Sequence, residues 1–535
     1  MHLVSERATW KNCQIPAELE SEDLWAALEP AFGLRRGQIV RAKATFYDTF
    51  EWGIWFGQRL LYQSQGQLRL CERDHDWIGD LRCASQMAAG RLPRFVWEFP
   101  AGDLRGELER LVGIRALVRV ARLWVHEQAV ELLNREEKTV FRFDLTALFG
   151  ESEAAEPFYR LCHFRPLRGY EAEGDKAIEI LQMLGGKEIS DGPLAIFFRG
   201  HGSAPRPYTL RPSFDLRPDL PVRETARRII QRMLAIAREN EVGIREDIDT
   251  EFLHDYRISM RKIRSVLSLL KGIYPEEQTN ELKALFARWC DATNKLRDLD
   301  VYLLARGQYT QMLPENLQAP LQEVFHDFGR ERRRALGQVV RDLSSTDYRA
   351  GIEKVERFFS SAGDLPETDV SGGPAGPLIA QRIYKRYKRI LKIERGLGSD
   401  TPDELLHKVR IHCKKLRYLI EFFSELLPEG ETDQIEKQLR RLQTCLGVFN
   451  DCSVQQRSLL HYWDRKRQER GSHEGLALSI GGLVAVLYHD QQEERNRFHN
   501  TLDDFCSPQI ARAVKAVCVN SAKLGSGVAE ASKAA

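Results

Sequence analysis

A chain of 535 residues, 43% hydrophobic and 29% charged, is too long for one ordinary domain and too apolar to be disordered. A formal net charge of +2 excludes a globally basic nucleic-acid binder, so any anion site must come from local clustering of charge. The ten cysteines form no CxxC pair, which speaks against a zinc knuckle or a thioredoxin-like site and for a reduced, intracellular compartment.

The first residues, MHLVSERATWKN, lack an apolar stretch after a basic start, so no secretory leader is expected. No apolar run of about 18 residues follows, so no membrane span is expected either. Residues 1–200 read as α+β. Alternating runs at Ala44–Tyr47, Gln67–Leu70, Arg94–Trp97 and Thr139–Leu145 predict strands, and Leu24–Leu28 and Leu104–Val112 predict helices. A stretch with Pro205, Pro207, Pro212 and Pro218 makes 201–221 a linker. From Val222 helical periodicity takes over, predicting an all-α domain over 222–525. A Gly/Pro-rich break near 361–377 divides it into 222–360 and 378–525.

The two parts are copies. LHDYRISMRKIRSVLSLL (253–270) aligns with LHKVRIHCKKLRYLIEFF (406–423) at a constant offset of 153. The offset carries His254 to His407, Arg257 to Arg410, Arg261 and Lys262 to Lys414 and Lys415, and Arg264 to Arg417. It also relates Gly243 to Gly396 and Arg297-Asp298 to Asn450-Asp451. At about 100° per residue, His254, Arg257, Arg261 and Arg264 share an arc of roughly 80°. Tyr256, Met260, Ile263, Leu267 and Leu270 fall opposite. His407, Arg410, Lys414 and Arg417 repeat the basic arc, against Val409, Cys413, Leu416, Ile420 and Phe423.

Such a face repels itself, by a few tenths of a kcal/mol per pair at i,i+3 or i,i+4. No carboxylate lies between His407 and Arg417, and Arg382, Lys385, Arg386, Lys388, Arg389 and Lys392 form a further basic run without an acid. A phosphate-rich polyanion would turn the repulsion into binding. Arginine grips phosphate oxygens bidentately, lysine adds a mobile charge, and histidine can donate from both nitrogens when protonated. Arg297, Asp298, Asp300 and Asp451 belong on the following helix, where they would orient the basic side chains. The plain alternative is a solvated surface, with buried structural histidines and with Asp298 and Asp451 as salt bridges or caps. The Arg332-Arg333-Arg334 run, half balanced by Glu323 and Glu331, reads as surface. His412 is set aside because the first copy has Ser259 there.

H-x-x-R-x-x-x-[RK]-[RK]-x-R in two copies, each followed by an [RN]-D step, resembles the CHAD domain (conserved histidine α-helical domain) over residues 222–520. The resemblance implies two pseudo-symmetric helical bundles whose basic faces line a groove for inorganic polyphosphate. Carried over by position, the polyphosphate-binding residues would be His254, Arg257, Arg261, Lys262, Arg264, His407, Arg410, Lys414, Lys415 and Arg417, supported by Arg297, Asp298 and Asp451. Asn450 departs from the arginine usual before Asp451. The first domain is similar to a divergent CYTH domain, a degenerate antiparallel β-tunnel for triphosphates, through FYDTFEWGIW (46–55), GIRALVRV (113–120), NREEKTVFRF (134–143) and PLRGY (166–170). An active tunnel needs E-x-E-x-K. Glu18-Leu19-Glu20-Ser21-Glu22 lacks the lysine and sits at a predicted helix start, where acids suit the dipole.

The expectation is a polyphosphate-binding protein without catalysis, metal or cofactor, cytoplasmic and associated with polyphosphate granules. Competing with it are a metal-dependent triphosphatase in the first domain, nucleic-acid binding by the basic groove, and a scaffold for an acidic protein. The basic arc carries few aromatic platforms for bases.

Overall fold

The computed structural model describes residues 12–73, 83–88, 90, 92–153, 156–188, 194, 197–198, 205–361, 368, 370–397, 401–469 and 473–531. The extreme amino-terminal residues read for a leader lie outside this set. The chain divides into two units, Met1–Thr209 and Leu210–Ala535.

The first unit is built on one antiparallel sheet. Its strands are β1 (Asn12–Ile15), β2 (Gly33–Arg36), β3 (Val40–Asp48), β4 (Arg59–Ser64), β5 (Gln67–Glu72), β6 (Cys83–Ala88), β7 (Val118–Leu133), β8 (Thr139–Phe149), β9 (Tyr159–Pro166) and β10 (Lys187–Glu188). The order is β10-β1-β9-β8-β7-β3-β4-β5-β6, with β2 also on β7. Helices α1 (Ser21–Leu28) and α4 (Glu171–Met183) contribute Leu24, Trp25, Leu28, Ala177 and Leu181 to a core with Val130, Leu132 and Phe143. Helices α2 (Gly53–Phe56) and α3 (Asp103–Val112) close another with Leu61, Leu68 and Leu70.

Three of the four predicted strands lie inside β3, β5 and β8, and both predicted helices form. Arg94–Trp97 does not extend. A 3-10 turn occupies Val96–Glu98, and the Glu98 carboxylate accepts the backbone N–H groups of Arg94 and Phe95 at 2.8 and 3.1 Å. The rings of Phe95 and Trp97 stack at 4.5 Å, which alternation along a strand would also have allowed. The FYDT segment ends β3 and leads into a turn: buried Asp48 accepts from the N–H groups of Thr49, Ile54 and Trp55 at 2.7, 3.0 and 2.9 Å. Burial nevertheless pushes its carboxyl up to about 6. Glu20 is the residue before the first turn of α1, with Glu22 and Asp23 inside that turn.

The second unit is all-helical over its described residues. Its first copy holds α5 (Val222–Arg245), α6 (Thr250–Leu269), α7 (Glu276–Ala292), α8 (Asn294–Leu304), α9 (Arg306–Gln311), α10 (Glu315–Ser344) and α11 (Thr346–Ser360). The second copy holds α12 (Ala375–Glu394), α13 (Asp403–Phe422), α14 (Glu429–Lys466), α15 (Glu474–Cys506) and α16 (Pro508–Ala531). Starts are marked chemically. Asp249 caps α6 by accepting from the Glu251 and Phe252 N–H groups, and Pro275 and Pro428, one offset apart, precede α7 and α14.

The copies interlock rather than fold side by side. Leu321, Val324 and Phe328 of α10 share one core with Leu459 and Tyr462 of α14 and Ile480 and Leu483 of α15. Where the copies begin, Pro221 and Pro374 form an antiparallel bridge. The Val222 N–H donates to the Gly373 carbonyl at 3.0 Å, and the Ala375 N–H donates to the Leu220 carbonyl at 3.1 Å. The offset of 153 turns each of these bonds into the other. That reciprocity is the signature of a local two-fold relation between the copies.

Candidate functional site

The motif helices α6 and α13 pack against each other, each with its apolar arc inward. Tyr256, Met260, Ile263, Leu267 and Leu270, and Val409, Cys413, Leu416, Ile420 and Phe423, are all buried. Between the two helices lies a cavity of about 340 Å³ lined by Arg261, Arg264, Ser265, Ser268, Leu269, Ile411, Lys414, Lys415 and Tyr418. Four cations and no carboxylate line it. Arg261 and Lys414 are equivalent positions of the repeat, as are Ser265 and Tyr418, so the cavity lies across the local two-fold.

The crowding of charge acts on the proton affinity of its members. Lys414 is pulled down to about 8, first by desolvation and then by Arg410 and Arg261. Lys415 is lowered by desolvation and by Arg386, Arg389 and Lys283. Arg410 is lowered by desolvation and by Arg261, against the pull of Asp451.

Not every motif residue faces the cavity. Arg257 is buried, and its guanidinium donates to the Cys290 carbonyl at 2.7 Å, Thr293 Oγ1 at 2.6 Å and Asn294 Oδ1 at 2.8 Å. It therefore spans the junction of α7 and α8. Its counterpart Arg410 donates to the Leu446 carbonyl at 3.2 Å, in the unbroken α14, and lies 3.8 Å from Asp451. Lys262 is buried too. Its ammonium contacts Glu421 at 2.5 Å and the Leu210 carbonyl at 2.5 Å, and sits 5.8 Å from the Phe422 ring centre. Arg417 donates to the same Glu421 at 3.3 Å.

His407 is exposed at the start of α13. His254 lies near Glu251 and Asp255, their ligand atoms within 4.8 Å of one another. These are the described residues closest to a metal-binding set, but Arg297 already stands 3.5 Å from Glu251. Arg297 also reaches the Thr250 carbonyl at 3.4 Å. Desolvation lifts the Asp298 carboxyl above its ordinary range, against the pull of Arg257 and Arg297. Asp300 is buried and pairs with Arg332 at 2.6 Å, and Arg332 also pairs with Asp247 at 2.6 Å. Arg332 is thus a tie between helices, not the surface residue its sequence context implied.

Sequence reasoning missed one side of the site. His412 Nδ1 lies 2.9 Å from Arg386 Nη1, and desolvation followed by Arg386, Arg389 and Lys415 brings this histidine down to about 4. The acid-free run 382–392 was the available signal.

Residues 228–460 match the family model of the CHAD domain. The helical unit contains a CHAD domain. Over 219 residues the chain is 24% identical to the uncharacterized protein Rv2226 of Mycobacterium tuberculosis (strain ATCC 25618 / H37Rv), covering 39% of this chain and 40% of that relative. The chain thus spans less than half the length of the curated relative it matches. Among solved structures, it is similar to the CHAD domain from the plant Ricinus communis, with a TM-score of 0.46 and 22% identity, over 56% of this chain and 96% of that one. It is also similar to PptA from Streptomyces chartreusis, with a TM-score of 0.39 and 18% identity, over 53% and 99% of the two chains. Among the described residues, no helix is long and apolar enough to cross a membrane.

Proposed function

We propose that this CHAD domain binds inorganic polyphosphate in the cavity between α6 and α13, without catalysis. The observation that carries the reading is the cavity itself: Arg261, Arg264, Lys414 and Lys415 line it without a carboxylate, and equivalent residues meet across a two-fold. A linear polyanion of repeating tetrahedral units presents the same acceptors in both chain directions, so a locally symmetric cation cluster suits it. Arg257, Arg410 and Lys262 serve by holding helices together, and Arg261, Arg264, Lys414 and Lys415 by touching phosphate. The amino-terminal unit is read as a CYTH-like scaffold. Its antiparallel sheet supports this, Asp48 is taken up in capping a turn, and Glu20 and Glu22 stand at a helix start. Cytoplasmic location, with polyphosphate granules, belongs to the same reading.

The test is titration of the full chain with long-chain polyphosphate at several salt concentrations, with single-stranded DNA as competitor, beside the Arg261→Ala/Lys414→Ala variant. Tight binding that weakens steeply with salt, resists DNA and is lost in the variant is the expected result. Equal preference for DNA would move the reading to a general polyanion groove. Metal-dependent phosphate release by the full chain would revive the triphosphatase.

A further inference from the structure

Within the two motif helices, one departure from the two-fold relation changes the charge at a cavity-lining position. Glu421 of α13 corresponds to Ser268 of α6. The Glu421 side chain, 8% exposed, places a carboxylate among the cations of its end of the helix pair, accepting from Arg417 at 3.3 Å and lying 2.5 Å from Lys262 and 3.9 Å from Arg211. The two-fold equivalents at the other end are Arg264, Lys415 and Ser268. All three line the cavity, and Ser268 spends its hydroxyl on the Arg264 carbonyl at 2.8 Å. One end of the helix pair thus carries a carboxylate, and the cavity lining at the other carries none.

The cationic end does not stop at Lys415. Along α12, one turn of helix apart, stand Arg382, Arg386 and Arg389, and Arg389 is exposed. Arg386 reaches back to α13, its Nη1 lying 2.9 Å from His412 Nδ1. Burial and the surrounding cations hold His412 neutral down to about pH 4, so it accepts this hydrogen bond and adds no charge of its own. Lys283 of α7 is close enough to Lys415 to lower its proton affinity, as Arg386 and Arg389 do. No acid interrupts α12 between residues 382 and 393.

We infer that a chain-like polyanion leaves the groove at one end only, past Lys415 and Ser268, onto a track formed by Arg386, Arg389 and Lys283. This rests on the polyphosphate reading and sharpens it. The ligand class is a linear polyphosphate long enough to fill the cavity and continue outside it, and the track sets a preference for length that the cavity alone would not. A compact anion fills the cavity and gains little from the track.

Two variants of the full chain test this against wild type, with tripolyphosphate and long-chain polyphosphate as probes. Lys283→Ala/Arg386→Ala/Arg389→Ala removes three track cations. The long chain should bind about tenfold more weakly, and its log K against log salt slope should fall by about 2. Tripolyphosphate should lose much less. Ser268→Glu places at the cationic end the carboxylate that Glu421 supplies at the other, and it should cut the long-chain advantage without touching α12. Long-chain affinity and slope unchanged in both variants would overturn the track while leaving the cavity assignment intact. Absence of polyphosphate binding by wild type would overturn the cavity assignment itself. Equal losses for both probes would show that these residues act on the cavity and not beyond it, which also overturns the track.

Discussion

Arg261 and Lys414 hold the same place in two copies of one helix, 153 residues apart in sequence, and line a single cavity. Two like charges in that position repel, so the arrangement weakens the fold while it favours an anion. Replacing either by a neutral residue of similar reach should therefore move stability and binding in opposite directions. For Lys414→Gln, denaturant unfolding without ligand should show a gain of about 0.5 kcal/mol. Polyphosphate affinity should fall about tenfold, a charge-assisted bond being worth roughly 1.5 kcal/mol. A loss in both quantities would make Lys414 a structural residue.

The same lysine gives the site a pH dependence. Desolvation, Arg410, Arg261 and Arg417 favour its neutral form and Asp451 opposes them, which leaves it near 8. Below pH 8 the ammonium is present to meet phosphate. Between 8 and the ordinary lysine value the free site loses this proton, while a bound polyanion would hold it. Affinity should thus fall as pH rises through that window, with proton uptake on binding. Stability without ligand should run the other way. The unfolded chain binds the extra proton there, so stability rises with pH. Calorimetry in buffers of different ionisation enthalpy reads the proton uptake, and Lys414→Gln should abolish it.

Arg257 and Arg410 share a motif position but not an environment. The guanidinium of Arg257 meets three acceptors at 2.6–2.8 Å at the α7–α8 junction. Arg410 makes one bond of 3.2 Å to a helix that needs no such junction. Arg257→Ala removes three charge-assisted hydrogen bonds at the junction and should cost about 3 kcal/mol in chemical unfolding. Arg410→Ala should cost about 1 kcal/mol. Similar losses for the two would show that the broken helix is not what Arg257 stabilises.

Much of this was legible in the residues and some was not. Helical periodicity separates Met260 and Ile263 from Arg261 and Arg264, because a helix face is a matter of angle alone. It does not reveal what covers a face. Lys262 and Lys415 sit at the same rotation in their copies, yet one is buried against Glu421 and the other lines a cavity beside Ser268. The deciding difference lies six residues away on the opposite copy. The Arg386–His412 contact joins α12 to α13, and no offset or spacing encodes which side of α13 the preceding helix covers.

Removing Glu421 alone should be the costliest change at its end of the helix pair. Lys262 is 4% exposed and depends on that carboxylate, with desolvation already lowering its proton affinity. Glu421→Gln strands a buried ammonium and should cost about 3–5 kcal/mol. Adding Lys262→Met removes the stranded charge and should restore most of the loss, since a buried ion pair is often no better than apolar packing. Thermal unfolding of the single and double variants decides it. A double variant as unstable as the single would mean that Glu421 acts through its other partners, Arg417 and Arg211, instead.

The paired glycines give the sharpest contrast between copies. Gly243 is buried within α5, where alanine would ordinarily be the better helix former by about 1 kcal/mol. A methyl group there would overlap the ring of Phe252, which is itself buried at the start of α6. The ring cannot retreat into a filled core, so Gly243→Ala should cost about 2–3 kcal/mol despite its helical gain. Gly396, its counterpart after α12, would bring a methyl group no closer than 3.5 Å to the Ile393 carbonyl, an ordinary contact. Gly396→Ala should therefore be neutral within about 0.5 kcal/mol. Chemical unfolding of both variants checks the pair. A tolerated Gly243→Ala would mean that α5 and α6 can separate at this crossing, and that Phe252 does not fix the approach of the first motif helix.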